Sequence, residues 1–149
     1  MSEHLAEIMW ERGEVEPGED YSRSHVWRFD GGVEVPAASA PALHGDPSRV
    51  DPEEAFVASI SSCHMLWFLH LARDAGHHVQ SYTDRAVGFM HRVDRGVIAI
   101  TDVELHPRIE WVGEAPDEQT VAELHEESHH RCFIANSVKC EITVHPPAD

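Results

Sequence analysis

Three cysteines, Cys63, Cys132 and Cys140, are the residues best able to do covalent chemistry in this chain. A thiolate is at once nucleophile, reductant and metal ligand, and its availability is set by the thiol pKa, about 8.5 when unperturbed. Cys63 lies within Ser61-Ser62-Cys63-His64-Met65, and a helical repeat puts Ser59, Ile60, Leu66 and Trp67 beside it. Phe56 and His70 extend that face. A cysteine in such an apolar setting more often serves as a small hydrophobe, so local pattern leaves its role open. Cys132 stands in His129-His130-Arg131-Cys132-Phe133-Ile134-Ala135-Asn136-Ser137-Val138-Lys139, and Cys140 falls where a strand begins. Two thiols distant in sequence form a redox pair only if their Cα atoms come within about 7 Å, which spacing does not decide.

The histidines offer a rival chemistry. The chain has 13 of them. His125 and His129 are one helical turn apart, with His130 and Cys132 directly after, a cluster from which a zinc or other transition-metal site can be built. A solvated acidic helix through Glu123 to Glu127 explains the same residues without a metal. No Gly-x-Ser-x-Gly elbow is present, so a serine triad has little support.

These side chains need elements to hold them. Asp51 can cap a helix, Pro52 suits its first position, Glu54 completes a capping box, and Gly76 is a natural stop. The resulting helix of about 24 residues would run roughly 36 Å, across a domain whose radius of gyration is about 15 Å. Its apolar residues lie on most faces, which predicts a central helix wrapped by other elements. Its stretch Ala55–Ala72 is long and apolar, but Ser59, Ser61, Ser62, His64 and His70 argue for a core helix and not a membrane span. Upstream, Tyr21–Val35 reads as two strands about an Asp30-Gly31-Gly32 turn, and 36–50 as a loop. Leu5–Trp10 reads as a short helix. Downstream, Val79–Met90 and Val97–His106 read as strands joined at Asp94-Arg95-Gly96, followed by a strand over Arg108–Val112. A second helix capped by Asp117 reaches about His130, and Glu141–Val144 closes with a strand before the Pro146-Pro147 tail. The order is that of an α+β domain.

Composition limits the partners. The 149 residues carry 42% hydrophobic and 26% charged side chains, with 11 cationic against 27 acidic ones for a net charge of −16. One domain with a real core is expected over 1–149, with residues 1–20 as an acidic extension. Such a balance disfavours nucleic acid, which needs cationic patches, and disfavours anionic membranes. Three cysteines are too few for a stapled secreted fold, and the first 25 residues contain no apolar run, so a reducing cytoplasm is the expected location.

Taken together, Asp51-Pro52-Glu53-Glu54, Ala58-Ser59-Ile60-Ser61-Ser62-Cys63-His64 and Cys132…Ile134-Ala135-Asn136-Ser137-Val138 resemble the signature segments of the OsmC/Ohr family. That family holds the osmotically inducible protein C and the organic hydroperoxide resistance protein. The likeness covers roughly residues 20–145, and His25-Val26-Trp27 resembles the OsmC-like branch. It implies an OsmC-like fold: a long Cys-bearing helix and a second helix wrapped by antiparallel β-sheet, in an intertwined homodimer with active sites at the subunit interface.

The resemblance further implies a thiol peroxidase in oxidative-stress defence, working without cofactor or metal. Cys63 would be oxidised to a sulfenic acid by an organic hydroperoxide, Cys132 would condense with it to a disulfide, and a dithiol would reduce the product. Some relatives take electrons from dihydrolipoyl groups on protein. Phe56, Ile60, Leu66 and Trp67 would hold the alkyl part of the substrate. Cys63 is some three turns from the helix start, so the helix dipole helps it little and an arginine partner is required. Arg23 is the best positional match, with Arg28 and Arg49 as alternatives, paired with Glu53. Ten residues separate Glu53 from Cys63, about 15 Å along a helix. One arginine can serve both only if Glu53 acts from a partner subunit or the helix breaks. The family's Cys-Pro-Tyr-Ser segment is here Cys132-Phe133-Ile134-Ala135, and Cys140 is an extra thiol near it. A non-enzymatic redox sensor or a ligand- or metal-binding protein on the same fold is the alternative.

Overall fold

The computed structural model describes residues 2–145; the Pro146-Pro147 tail lies outside the described residues. The chain divides into two compact units, residues 1–55 and 56–149.

The first unit is built on an antiparallel sheet of β1 (Ala6–Met9), β2 (His25–Phe29) and β3 (Glu34–Ala37) in the order β1-β2-β3. β2 and β3 form the expected hairpin, with Gly32 at φ 80° and its N–H donating to the Phe29 carbonyl at 2.9 Å. Residues 6–9 are a strand, which corrects the helix expected over Leu5–Trp10. Four residues pair with β2, Ile8 opposite Trp27 and Glu7 opposite Arg28. Arg28 bridges Glu7 at 3.0 Å and Glu34 at 2.7 Å, one carboxylate on each neighbouring strand. So short a helix would be marginal alone, whereas a third strand satisfies the edge of β2. The acidic extension is tied down beyond this strand: the Trp10 indole donates to the Ser22 carbonyl at 2.7 Å and its ring meets Tyr21 edge-on. The loop expected over 36–50 starts only at Ala38, because Pro36 and Ala37 continue β3 in pairing with β2; it holds one 3₁₀ turn at Pro41–Leu43.

α1 (Pro52–Asp74) begins and ends where its signals are written. The Glu54 N–H donates to Asp51 Oδ1 at 2.8 Å, and the Asp51 N–H donates to Glu54 Oε2 at 3.1 Å, a reciprocal capping box. At the other end Gly76 takes φ 85° and the His77 N–H reaches back to the Ala72 carbonyl at 2.9 Å.

In the second unit α1 is followed by β4 (Val79–Asp84), β5 (Val87–Asp94), β6 (Val97–Leu105), β7 (Pro107–Trp111), α2 (Glu118–Arg131) and β8 (Glu141–Val144). The single strand expected over Val79–Met90 is two. Arg85-Ala86 breaks it, because β4 pairs with β7 while β5 pairs with β6 in a different sheet. The β5–β6 hairpin turns at Arg95-Gly96 as expected, with Gly96 at φ 75°. Among the described residues the named strands pair antiparallel except β6 with β8, which is parallel. β7 and α2 lie between those two strands in sequence and supply the long crossover that parallel pairing requires.

α1 buries one stripe and not all its faces: Ile60, His64, Phe68 and Ala72, spaced four apart. Ile60 packs with Val103 and Leu105 of β6, and Phe68 and Ala72 pack with Leu124 of α2. By length and hydropathy α1 could cross a membrane. Its buried stripe is instead committed to a protein core. Gly88 lets β5 approach the helix, since a Cβ there would sit 2.6 Å from Val57 Cγ2.

Candidate active site

Cys63 is half-buried, one position from the buried stripe of α1, and Cys132 is 1% exposed at the C-terminus of α2. The Cys63 thiol is the side chain that acts most on Cys132. Burial, and next the neighbouring Cys63 thiol, push the Cys132 thiol up to about 11. A raised pKa means that Cys132 stays protonated at neutral pH.

A dense local network fixes Cys132. α2 starts at the Asp117 cap, whose carboxylate accepts the Thr120 N–H at 2.7 Å, and it ends when the chain turns extended at Cys132. The Ala135 N–H donates to Cys132 Sγ at 3.3 Å. Asn136 Nδ2 donates to the carbonyls of His130 and Cys132, each at 2.9 Å. Asn136 thus clamps the turn that presents Cys132. Its side-chain role had no local signature beyond its place in the second cysteine segment.

Trp67, one turn beyond Cys63, meets Phe133 edge-to-face at 5.6 Å, and the Arg131 guanidinium lies 5.8 Å from its ring centre. Phe133 itself is 71% exposed. Of the other apolar residues expected beside the thiol, Ile60 is fully buried in the core, with Phe56 partly buried against the same cluster, and Leu66 is 61% exposed. Cys140 packs at the rim of that cluster, and burial pushes its thiol up.

The histidine after Cys63 turns away from it. His64 Nε2 and His125 Nδ1 are 3.0 Å apart, their rings nearly parallel at 11°, and His125 also packs on Phe68 at 4.4 Å. Burial, the largest cause, pushes both down to about 4, so both are neutral at pH 7. The run His125-Glu126-Glu127-Ser128-His129 has the H-E-x-x-H spacing of a zinc-protease helix. Yet one ring nitrogen of His125 is taken by His64. The set His125, His129, His130 and Cys132 does not gather around a point. Among the described residues the only group of three or more metal-capable side chains whose ligand atoms converge is Glu104, His106 and His145. A groove of about 820 Å³ runs between β7 and α2, lined by Ile109, Trp111, Val121, His125 and His129 among others, and no thiol lines it.

In the first unit Arg23 donates to Asp20 at 2.5 Å and to the Tyr21 carbonyl, and stacks 4.3 Å over the Tyr21 ring. Its carboxylate partner is Asp20, not Glu53. Arg28 is held between Glu7 and Glu34, and Arg49 contacts Asp46 at 3.5 Å and the His25 carbonyl at 3.3 Å. α1 runs unbroken from Pro52 to Asp74, so no break folds Glu53 back toward Cys63.

Comparison with known proteins follows the same lines. No curated protein matches the chain. A solved OsmC-like protein of unknown function from Vibrio cholerae is 42% identical, covers 99% of this chain and 100% of its own, and superposes with a TM-score of 0.93. An organic hydroperoxide resistance protein from Legionella pneumophila shares the fold at 14% identity and TM-score 0.75, covering 99% of this chain and 98% of its own. One from Elizabethkingia anophelis does so at 20% identity and TM-score 0.74, with the same coverage. The family model described as OsmC-like protein matches residues 45–146, which include α1, α2 and both Cys63 and Cys132. The chain therefore belongs to the OsmC-like family.

Proposed function

We propose that the protein is a two-cysteine peroxidase that reduces organic hydroperoxides in oxidative-stress defence. The observation that carries this reading is that the Cys63 thiol neighbours Cys132 closely enough to help hold its pKa up. It supports the second step of the chemistry, because neighbouring thiols can be joined once their Cα atoms are within bridging range. The Cys63 thiolate attacks the outer oxygen of ROOH, the O–O bond breaks, and a proton completes ROH as Cys63 becomes a sulfenic acid. The Cys132 sulfur then attacks Cys63, expelling water and leaving a disulfide. A dithiol, such as a dihydrolipoyl group on protein, reduces that bond and is itself oxidised to a disulfide.

In this reading Arg23 stabilises the thiolate and the departing alkoxide. The protein acts as a homodimer in which Glu53 reaches the site of another subunit, consistent with the unbroken α1. Trp67 and Phe133 favour an alkyl substituent over hydrogen peroxide. Phe56 and Leu66 extend the apolar wall, with fully buried Ile60 behind it in the core. A reducing compartment such as the cytoplasm keeps the thiols in their working state. Steady-state turnover of cumene hydroperoxide with a dihydrolipoyl donor tests this. Cys63→Ser is expected to abolish turnover, and Cys132→Ser to stop it after one oxidation. Full turnover in Cys63→Ser contradicts the proposal.

A further inference from the structure

We propose that Glu104, His106 and His145 form a binding site for a divalent transition ion of the zinc class. The parallel register of β6 and β8 sets Glu104 opposite Thr143 and Leu105 opposite Val144. The next residue on each strand, His106 and His145, therefore leaves the sheet at the same end. Both backbones are anchored there. The His145 N–H donates to the Leu105 carbonyl at 2.8 Å, and the His106 N–H donates to Asp84 Oδ1 at 2.6 Å. Fully buried Leu105 and Pro107 hold His106 from either side.

The ligand atoms of the three side chains lie within 4.8 Å of one another. His106 Nε2 is 3.3 Å from Glu104 Oε2, and His145 Nε2 is 3.8 Å from Glu104 Oε1. A tetrahedral ion with arms of about 2.0–2.2 Å sets its donors roughly 3.3–3.6 Å apart. The two histidines face different oxygens of the Glu104 carboxylate, so an ion would draw the His145 ring and the carboxylate in together. An independent observation points the same way. His145 Nε2 is buried and has no hydrogen-bond partner among the described residues. A buried polar atom left unmet is costly, and an ion between Nε2 and the carboxylate meets it. Two imidazoles and one carboxylate suit zinc, cobalt or nickel better than calcium or magnesium, which prefer all-oxygen shells. Three protein ligands leave a position for water or an exogenous donor. The net charge of −16 favours cation uptake. None of the three cysteines belongs to this set, so the proposal stands apart from the peroxidase reading.

The test uses the full-length reduced protein titrated with Zn²⁺ against a chromophoric chelator, and with Co²⁺ followed by absorbance. Wild type is expected to bind one ion per chain, with cobalt d–d bands and no thiolate charge-transfer band. His106→Ala/His145→Ala should weaken binding by at least about 100-fold, and Glu104→Gln, which keeps the shape of the side chain, by about 10-fold. Circular dichroism checks that each variant is folded. Cys63→Ser/Cys132→Ser should bind as wild type does. Unchanged affinity in a folded Glu104→Gln or double-histidine variant overturns the site. So does loss of binding in the cysteine variant, or a thiolate charge-transfer band.

Discussion

Lowering the pH from about 7.5 to about 5 should destabilise the protein through one pair of groups, His64 and His125. Burial holds both near 4 in the folded chain, against an ordinary histidine value of 6.5. Between those values the unfolded chain takes up protons that the folded chain refuses, so stability is lost as pH falls through 6.5 toward 4. Down to about pH 5 one such ring contributes a loss of ~2 kcal/mol, and the pair up to ~4. The carboxylates whose folded values are depressed, Asp20, Asp46, Asp74 and Asp117, start from 3.8 and act at lower pH. A loss of that size is a large part of a typical stability of about 5–15 kcal/mol. Urea unfolding at a series of pH values should show the midpoint falling by about 1–2 M. In His125→Gln, which keeps a polar partner for His64, the pH slope should shrink by about half. A midpoint flat from pH 7.5 to 5, or a slope unchanged in the variant, would refute the reasoning.

Other changes follow from the same core. Phe68→Ala, at a fully buried position on α1, should cost about 3–5 kcal/mol in chemical denaturation. Gly88→Ala puts a methyl 2.6 Å from Val57 Cγ2 and should cost about 1–3 kcal/mol, whereas an unchanged unfolding midpoint would mean that β5 has room beside the helix. Asp117→Ala removes the acceptor for the Thr120 N–H and should lower stability by about 0.5–2 kcal/mol, read from the same urea curves.

What the sequence disclosed was governed by distance along the chain. α1 and α2 were legible because Asp51, Pro52, Glu54, Gly76 and Asp117 act on backbone groups within a few residues. The hairpins at Gly32 and Gly96 were legible for the same reason. β1 was not, because its strand character comes from pairing with β2 across a long loop, with Arg28 reaching Glu7. Nor was the break at Arg85-Ala86 visible, since only the partners of β4 and β5 tell them apart. The same holds at the site. Cys63 and Cys132 were separate candidates by pattern, and only the family resemblance implied that they act together. The Asn136 clamp, the His64–His125 pair and the convergence of Glu104, His106 and His145 all depend on tertiary contacts that no local spacing encodes.

The central claim is that Cys63 and Cys132 form one redox unit. Stopped-flow mixing of reduced protein with one equivalent of cumene hydroperoxide or hydrogen peroxide, followed by peptide mass spectrometry, tests it most directly. The account predicts faster reaction with the organic peroxide and a Cys63–Cys132 disulfide as the product. Reaction at Cys63 no faster than that of a free thiol, or a disulfide that bypasses Cys132, would contradict it.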